Sequence, residues 1–271
     1  MGLNGVYDMK YLKESDKGGL YIRHAIDETP DNKWASFHVH DRCEVFYFIS
    51  GNAQYLVEGS VYPLERGSLL IMRPGEAHCI RFLSSERYER YAVNFPISLF
   101  DSFDPERRLT NMYINRPLGR KNIYYMPGLE KVFREMCYYE GDDYGRTLIM
   151  TTKLVMIMDM LSRASADSMP QETTLSEQIV RYVNNMLCED ITVERLAEHF
   201  FISTSQFSRI FRKAAGTSPW AYITAKRLIM ARELLQRGES AKKAAESCGF
   251  KDYSVFYKAY IKRFGEKPST R

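Results

Sequence analysis

Two sets of residues in this chain of 271 are spaced as chemistry would require. The first is His38, His40 and Glu44, in the order HxHxxxE, followed by Pro74-Gly75 and His78. Alternate residues of a strand face one side, so His38 and His40 point together, and a small barrel would bring Glu44 and His78 beside them. Three imidazoles and a carboxylate form a donor set for Zn, Mn or Fe. The same residues would serve a polar effector pocket or a structural network, and all three readings stay open here. His24 and His199 stand alone and read as structural. Trp34, Phe37, Phe46, Phe48, Tyr55 and Tyr62 could stack on a sugar or an aromatic ligand, although aromatic side chains in barrel strands are more often core. Cys43 and Cys79 flank the motif and could make it redox-sensitive, but an unpaired buried cysteine is the commoner case.

The second set is a duplication. Phe207, Arg209, Phe211, Lys213, Gly216 and Pro219 recur 49 positions later as Phe256, Lys258, Tyr260, Lys262, Gly265 and Pro268. Such a repeat indicates two helix-turn-helix elements, each able to place a recognition helix in a major groove. In the first, Phe207, Ile210 and Phe211 share one face, leaving Ser205, Ser208, Arg209 and Arg212 on the other. In the second, Phe256 and Tyr260 point inward, with Tyr253, Ser254, Tyr257 and Lys258 outward. Arg bonds bidentately to guanine and Ser reaches bases or phosphates, so these faces are candidate DNA readers. Lys213, Lys262 and Arg263 read as phosphate contacts or surface charge. Residues 172–271 carry 17 Lys and Arg against 11 Asp and Glu, a net +6, which leaves −2 upstream of the total +4. The basic excess lies wholly in the repeat region, as a nucleic-acid footprint would.

The elements that must position these residues differ between the two halves. From Leu20 to about Phe95 the texture is strand-like, with runs Glu44–Ile49, Ala53–Val57, Ser68–Met72 and Tyr88–Phe95 and a hairpin turn at Glu58-Gly59. After Pro127 the period becomes helical, over 128–139 and then 144–163. The second of these helices is apolar around much of its circumference, so one face should dock on the barrel and the other form a dimer seam. Residues 162–174 read as a linker. Thr192, Ser203 and Asp252 are placed to cap helices, and Gly216 to stop one. Ser218-Pro219 starts a connecting helix that Gly238 ends. Such a rigid connector could hold the two recognition helices in successive major grooves, about 34 Å apart.

Composition removes other classes. A hydrophobic content of 45% excludes a disordered chain. Five scattered cysteines without a CxxC pair argue against a disulfide framework or a zinc finger and fit a reducing cytoplasm. The opening MGLNGVYDMK lacks a signal-peptide pattern, and Val6 stands where a myristoylation motif needs Ser or Thr. Leu148–Leu161 is interrupted by Lys153 and Asp159 and is shorter than a bilayer span.

Residues 175–271 resemble the DNA-binding domain of the AraC family of bacterial transcription regulators. The resemblance rests on Ala197 and Ala245 in the first helix of each unit, Gly249-Phe250 before the second recognition helix, and the closing pairs Gly216/Pro219 and Gly265/Pro268. Lys258 stands where the family most often has Arg. The histidine motif resembles the cupin barrel. The resemblance implies an α+β multidomain protein: a cupin-like effector-sensing β-barrel over 1–125, a helical dimerisation segment over 126–164, a linker over 165–174, and an all-α double helix-turn-helix domain over 175–271. It implies a homodimer that binds promoter DNA and a small-molecule effector, carbohydrates included, with RNA polymerase as a further partner and no required cofactor. A metal-dependent cupin enzyme, such as an oxygenase or isomerase with a C-terminal interaction module, is the rival reading.

Overall fold

Strand β3 (Cys43–Ser50) explains most of the architecture, because it is apolar on both faces. Cys43, Val45, Tyr47 and Ile49 belong to one buried cluster, and Phe46 and Phe48 to another. Successive side chains of a strand alternate sides, so β3 must lie between two layers. The structure, a computed structural model, describes residues 10–17, 19–32, 37–165 and 174–269. Trp34, nearly all of the opening segment and most of the expected linker lie outside the described residues.

The strands pair antiparallel into two sheets. β1 (Lys10–Lys17), β2 (Leu20–Asp27), β8 (Tyr88–Phe95), β3, β6 (Ser68–Met72) and β9 (Ile123–Tyr125) form one, in that order, and β5 (Ser60–Pro63), β4 (Ala53–Val57) and β7 (His78–Phe82) the other. Between them pack Phe46, Phe48, Tyr55, Tyr62, Phe82 and Tyr88. The N-terminal half is thus two facing sheets. Among the described residues no continuous ladder closes them into one cylinder, and a single bridge, His38 with His78, extends the smaller sheet.

A short helix α1 (Asn111–Ile114) leads to β9, after which α2 (Glu130–Cys137) and α3 (Asp143–Arg163) cover the outer face of the larger sheet. Phe133, Met136, Leu154, Ile157 and Leu161 are fully or almost fully buried there. The opposite side of α3 leaves Tyr144 78% and Leu148 53% exposed, with Met156 and Met160 also in solvent.

The C-terminal half is helical: α4 (Leu175–Asn185), α5 (Val193–His199), α6 (Thr204–Ala215), α7 (Pro219–Gln236), α8 (Ala241–Ser247) and α9 (Tyr253–Phe264). The capping residues stand where the sequence predicts them. Thr192 accepts from Arg195 N, Ser203 from Gln206 N, and Asp252 from Ser254 and Val255 N. The turn between α5 and α6 spans residues 200–203 and that between α8 and α9 spans 248–252, one residue longer. Ser218 caps α7 with Pro219 at its first position. No helix among the described residues is long and apolar enough to cross a membrane.

The two halves meet through the β4–β5 hairpin. Glu58 and Gly59 both have positive φ, 51° and 86°, as a two-residue turn of the primed type requires. A Cβ on Gly59 would lie 3.0 Å from Val180 of α4, so the hairpin abuts that helix. The Glu58 carboxylate accepts from Ala77 N (2.6 Å), Lys226 Nζ (2.6 Å), Asn184 Nδ2 (2.6 Å) and Tyr222 Oη (2.5 Å). All but the first of these donors belong to the helical half.

Candidate effector cluster and DNA interface

Glu44 shares the inner face of β3 with Phe46, and Asn94 stands opposite it on β8. β7 of the facing sheet supplies His78, and the segment that crosses between the sheets supplies His40. Glu44 Oε2 lies 3.0 Å from His40 Nε2, 3.6 Å from His78 Nε2 and 2.9 Å from Asn94 Nδ2. His40 Nδ1 lies 2.9 Å from the Arg42 carbonyl and His78 Nδ1 2.8 Å from that of Glu76. A carbonyl can only accept, so each Nδ1 carries its proton, and an imidazole left neutral would turn its Nε2 lone pair toward the carboxylate. Three acceptors converging in this way need a proton or a cation among them.

Electrostatics agree with that geometry. Burial pushes the Glu44 carboxyl up, but the hydrogen bonds and charge of His40 and His78 outweigh it and hold it well below the usual carboxylate range. Burial pushes His78 down, and the Glu44 hydrogen bond and charge outweigh that in turn, leaving it above 6.5. The donor atoms of His40, Glu44 and His78 all lie within 4.8 Å of one another, which fits a small divalent cation. The Nδ1 bonds to carbonyls are the outer-shell support that metal-bound histidines use.

His38 departs from the expected arrangement. Its ring centroid is 5.9 Å from that of His78, its side chain is exposed, and it stands outside the compact group. The reason is that residues 37–42 do not form a regular strand, so strict alternation does not carry His38 inward beside His40. The surrounding aromatics Phe46, Phe48, Tyr55 and Tyr62 are core, and Phe37 packs toward the helical half, 5.5 Å from the Tyr222 ring. Two surface hollows, of 370 Å³ at Asn32 and Phe82 and 690 Å³ between α2 and α3, lie away from the cluster. His24 is structural: it bridges Tyr138 and Glu89 at 2.8 Å each and stacks on Tyr91. His199 stacks on Tyr182. Cys43 and Cys79 are buried free thiols, and burial raises both, Cys79 to about 11, which removes thiolate character. Sequence reasoning missed Asn94, whose signal was its parity: Tyr91, Val93 and Phe95 fill the outer face of β8, which leaves position 94 facing inward.

On α6, Phe207 and Phe211 are fully buried, a contribution of about 1.5 to 3 kcal/mol each, and Ile210 is half-buried beside them. Ser205, Arg209 and Arg212 are exposed and Ser208 is half-buried. On α9, Phe256 and Tyr260 are buried, while Tyr253, Ser254 and Lys258 are exposed and Tyr257 half-buried. Each helix therefore turns its expected reading face to solvent. Arg263, expected among the phosphate contacts or surface charges, is exposed and also donates to the Val39 carbonyl. Arg227 on α7 is buried and donates to the carbonyls of Leu187 (2.6 Å), Glu189 (2.8 Å) and Gly249 (2.6 Å), which ties the end of α4 to the turn of the second unit.

Comparison with known proteins follows the same division. Residues 21–155 match the family described as AraC-like ligand binding domain, and residues 196–270 match a helix-turn-helix domain family. The chain belongs to the AraC family. XylDLEGF operon transcriptional activator 3 of Pseudomonas putida is 24% identical over 245 residues, 82% of this chain and 69% of that one. The thermoregulatory protein LcrF of Yersinia pestis is 23% identical over 85% of this chain and 89% of that one. The HTH-type transcriptional activator RhaS of Escherichia fergusonii is 22% identical, covering 85% of each. This AraC-family chain is a DNA-binding transcription regulator that responds to a small-molecule effector through its N-terminal ligand-binding domain.

Proposed function

We propose that the protein is a cytoplasmic homodimer that reads promoter DNA with α6 and α9 and binds its effector at His40, Glu44 and His78, with His38 at the rim. The observation that carries the DNA reading is the sidedness of the two helices: aromatic residues hold one face in the core, and Ser205, Ser208, Arg209 and Arg212, with Tyr253, Ser254, Tyr257 and Lys258, occupy the other. In this reading residues 1–125 sense, 126–164 dimerise, 165–174 link and 175–271 bind DNA. The exposed Tyr144, Leu148, Met156 and Met160 of α3 support the dimer seam, since a matching stripe from a second copy would bury them. The activator names of the relatives support RNA polymerase as a further partner. We read the cluster as binding rather than catalysing.

A polar small molecule is the first effector class, because the cluster offers acceptors, a carboxylate and the Asn94 amide at one point. Carbohydrates fall within that class. The convergence of donor atoms within 4.8 Å favours a second reading, a divalent cation held by His40 Nε2, Glu44 Oε2 and His78 Nε2. Calorimetric titration of the purified chain with zinc separates the two: stoichiometric heat abolished by Glu44→Gln supports the cation, and no heat leaves the polar molecule. For the DNA reading, Arg209→Ala should weaken binding to a selected site by about 1 to 3 kcal/mol and relax one base position, whereas Lys262→Ala should weaken all sequences alike. Equal loss on selected and random duplexes for both variants would overturn the base-reading role of Arg209.

A further inference from the structure

The cluster and the DNA-binding half are separated by the thickness of one extended backbone. The crossing segment and β7 are hydrogen-bonded to each other, His38 N to His78 O at 2.8 Å and His78 N to His38 O at 2.9 Å. Gly75 N also donates to His40 O at 2.8 Å. His40 and His78 turn toward Glu44. Val39, Asp41, Cys79 and Arg81 turn the other way, toward the helical half.

Val39 is 1% exposed and packs in the same apolar cluster as Phe207, Phe211 and Ile229. Its carbonyl accepts from Arg263 at the end of α9. Asp41 pairs with Arg232 at 3.0 Å; that guanidinium also holds Glu266 and lies 4.5 Å over the Phe264 ring, both at the same end of α9. From β7, the Cys79 thiol meets the Ala215 carbonyl, and Arg81 donates to that of Lys213, both at the end of α6. A Cβ on Gly216 would stand 2.6 Å from Cys79 Sγ, so α6 ends directly against the strand. One strip therefore holds the cluster on its inner side and the C-terminal ends of both reading helices on its outer side.

We propose that this strip, Val39–Asp41 with His78–Arg81, couples the state of the effector cluster to DNA reading, with Asp41 and Arg81 as positioning residues that fix the ends of α9 and α6. The inference rests on the function proposed above and adds its route. A ligand that draws His40 and His78 toward or away from Glu44 displaces Val39, Asp41 and Cys79, which share peptide units with them, and Arg81, which lies further along the same strand β7. Coupling then follows from the difference in ligand affinity between the two placements of the helices.

A double-mutant cycle on the full-length chain tests this without knowledge of the ligand. The probe is a fluorescent duplex selected by the wild-type protein from a random library. Glu44→Gln perturbs the cluster at constant shape, and Asp41→Ala with Arg81→Met cuts the strip. Glu44→Gln should change the affinity for the duplex about fivefold or more with the strip intact, and less than about twofold with it cut. Hydrogen exchange gives the second readout: Glu44→Gln should alter protection at 213–216 and 262–265 only when Asp41 and Arg81 are present. A purely structural Asp41 would lower stability without silencing Glu44. If Glu44→Gln does not fold, His40→Gln takes its place. Equal effects of the cluster substitution in both backgrounds, or no effect in either, overturn the coupling while leaving the regulator in place. A wild-type chain that selects no sequence overturns the DNA reading and the coupling with it.

Discussion

Glu44 and Glu58 are both carboxylates buried in the sheet domain, 7% exposed each, yet their surroundings are opposite. Around Glu58 every neighbour is a donor: a backbone N–H, an ammonium, an amide and a phenol, all within 2.6 Å. Around Glu44 one amide donates, and the other two neighbours are imidazole nitrogens whose partner nitrogens already hold the proton. A fully satisfied buried acid has no further chemistry and serves as a joint. An acid whose imidazole neighbours hold an exchangeable proton between them keeps capacity for a cation or the donor of a ligand. The contrast fits a docking role for Glu58 and is what the proposed sensing role of Glu44 requires. It also accounts for the left-handed backbone of Glu58, a conformation that a non-glycine residue keeps only where its surroundings hold it.

The largest effect should come from Lys226→Met. Lys226 is 5% exposed and is the only cation bonded to Glu58 among the described residues, so its removal strands a buried charge at a cost of about 3 to 5 kcal/mol. Chemical denaturation of the full chain measures it, and a loss below 1 kcal/mol, roughly that of a surface pair, would end the claim that Glu58 is a joint. Tyr222→Phe removes one hydrogen bond to the same carboxylate and should cost about 1.5 to 3 kcal/mol. If the comparison is sound, Glu44→Gln in the same assay costs less than either, because it removes a charge whose neighbours do not saturate it.

Much of this arrangement can be read from the residues, and what cannot has a common cause. Ala53–Val57, Ser68–Met72 and Tyr88–Phe95 are strands with the expected limits because apolar runs end at Gly or Pro or at polar turns. The caps of α5, α6, α7 and α9 follow from single residues acting on backbone two or three positions away. β1, with sequence KYLKESDK, carries no apolar run, and β9 is too short to show a period. α4 was legible, since Ile179, Val180 and Val183 mark one face, but it falls before the repeated unit and escapes a reading built on the repeat. The Glu58-Gly59 turn is equally plain, whereas the role of its carboxylate depends on residues 126 to 168 positions away. Lys226 leaves one trace, the adjacent pair Lys226-Arg227 set inside an otherwise apolar stretch of α7. His38 fails for a local reason, a short crossing segment that does not keep strand alternation.

Two smaller effects sharpen the contrast from the acid side. Glu76, fully buried, is a third carboxylate of the saturated kind: burial pushes it up, and the Arg116 guanidinium at 2.5 Å and the Gly119 and Arg73 amides bring it below 4.5. A folded value below the unfolded one stabilises above pH 4.5, and that contribution is lost as pH falls through the folded value. Stability of the wild type should therefore decline on acidification below that range, and Glu76→Gln should decline less steeply over the same interval in parallel denaturant titrations. An unchanged slope would mean that Glu76 is not held as a charge.

Asn94→Ala should give the smallest effect, at most about 1.5 kcal/mol. It removes the neutral donor to Glu44, but His40 beside it is half-buried, so water can reach the carboxylate and replace the amide. The same change should alter effector response more than stability, because the amide is one of the groups a ligand would meet. A loss of stability matching that of Tyr222→Phe would show that Glu44 depends on its donors as strictly as Glu58 does, and the division between joint and sensor would fail at that point.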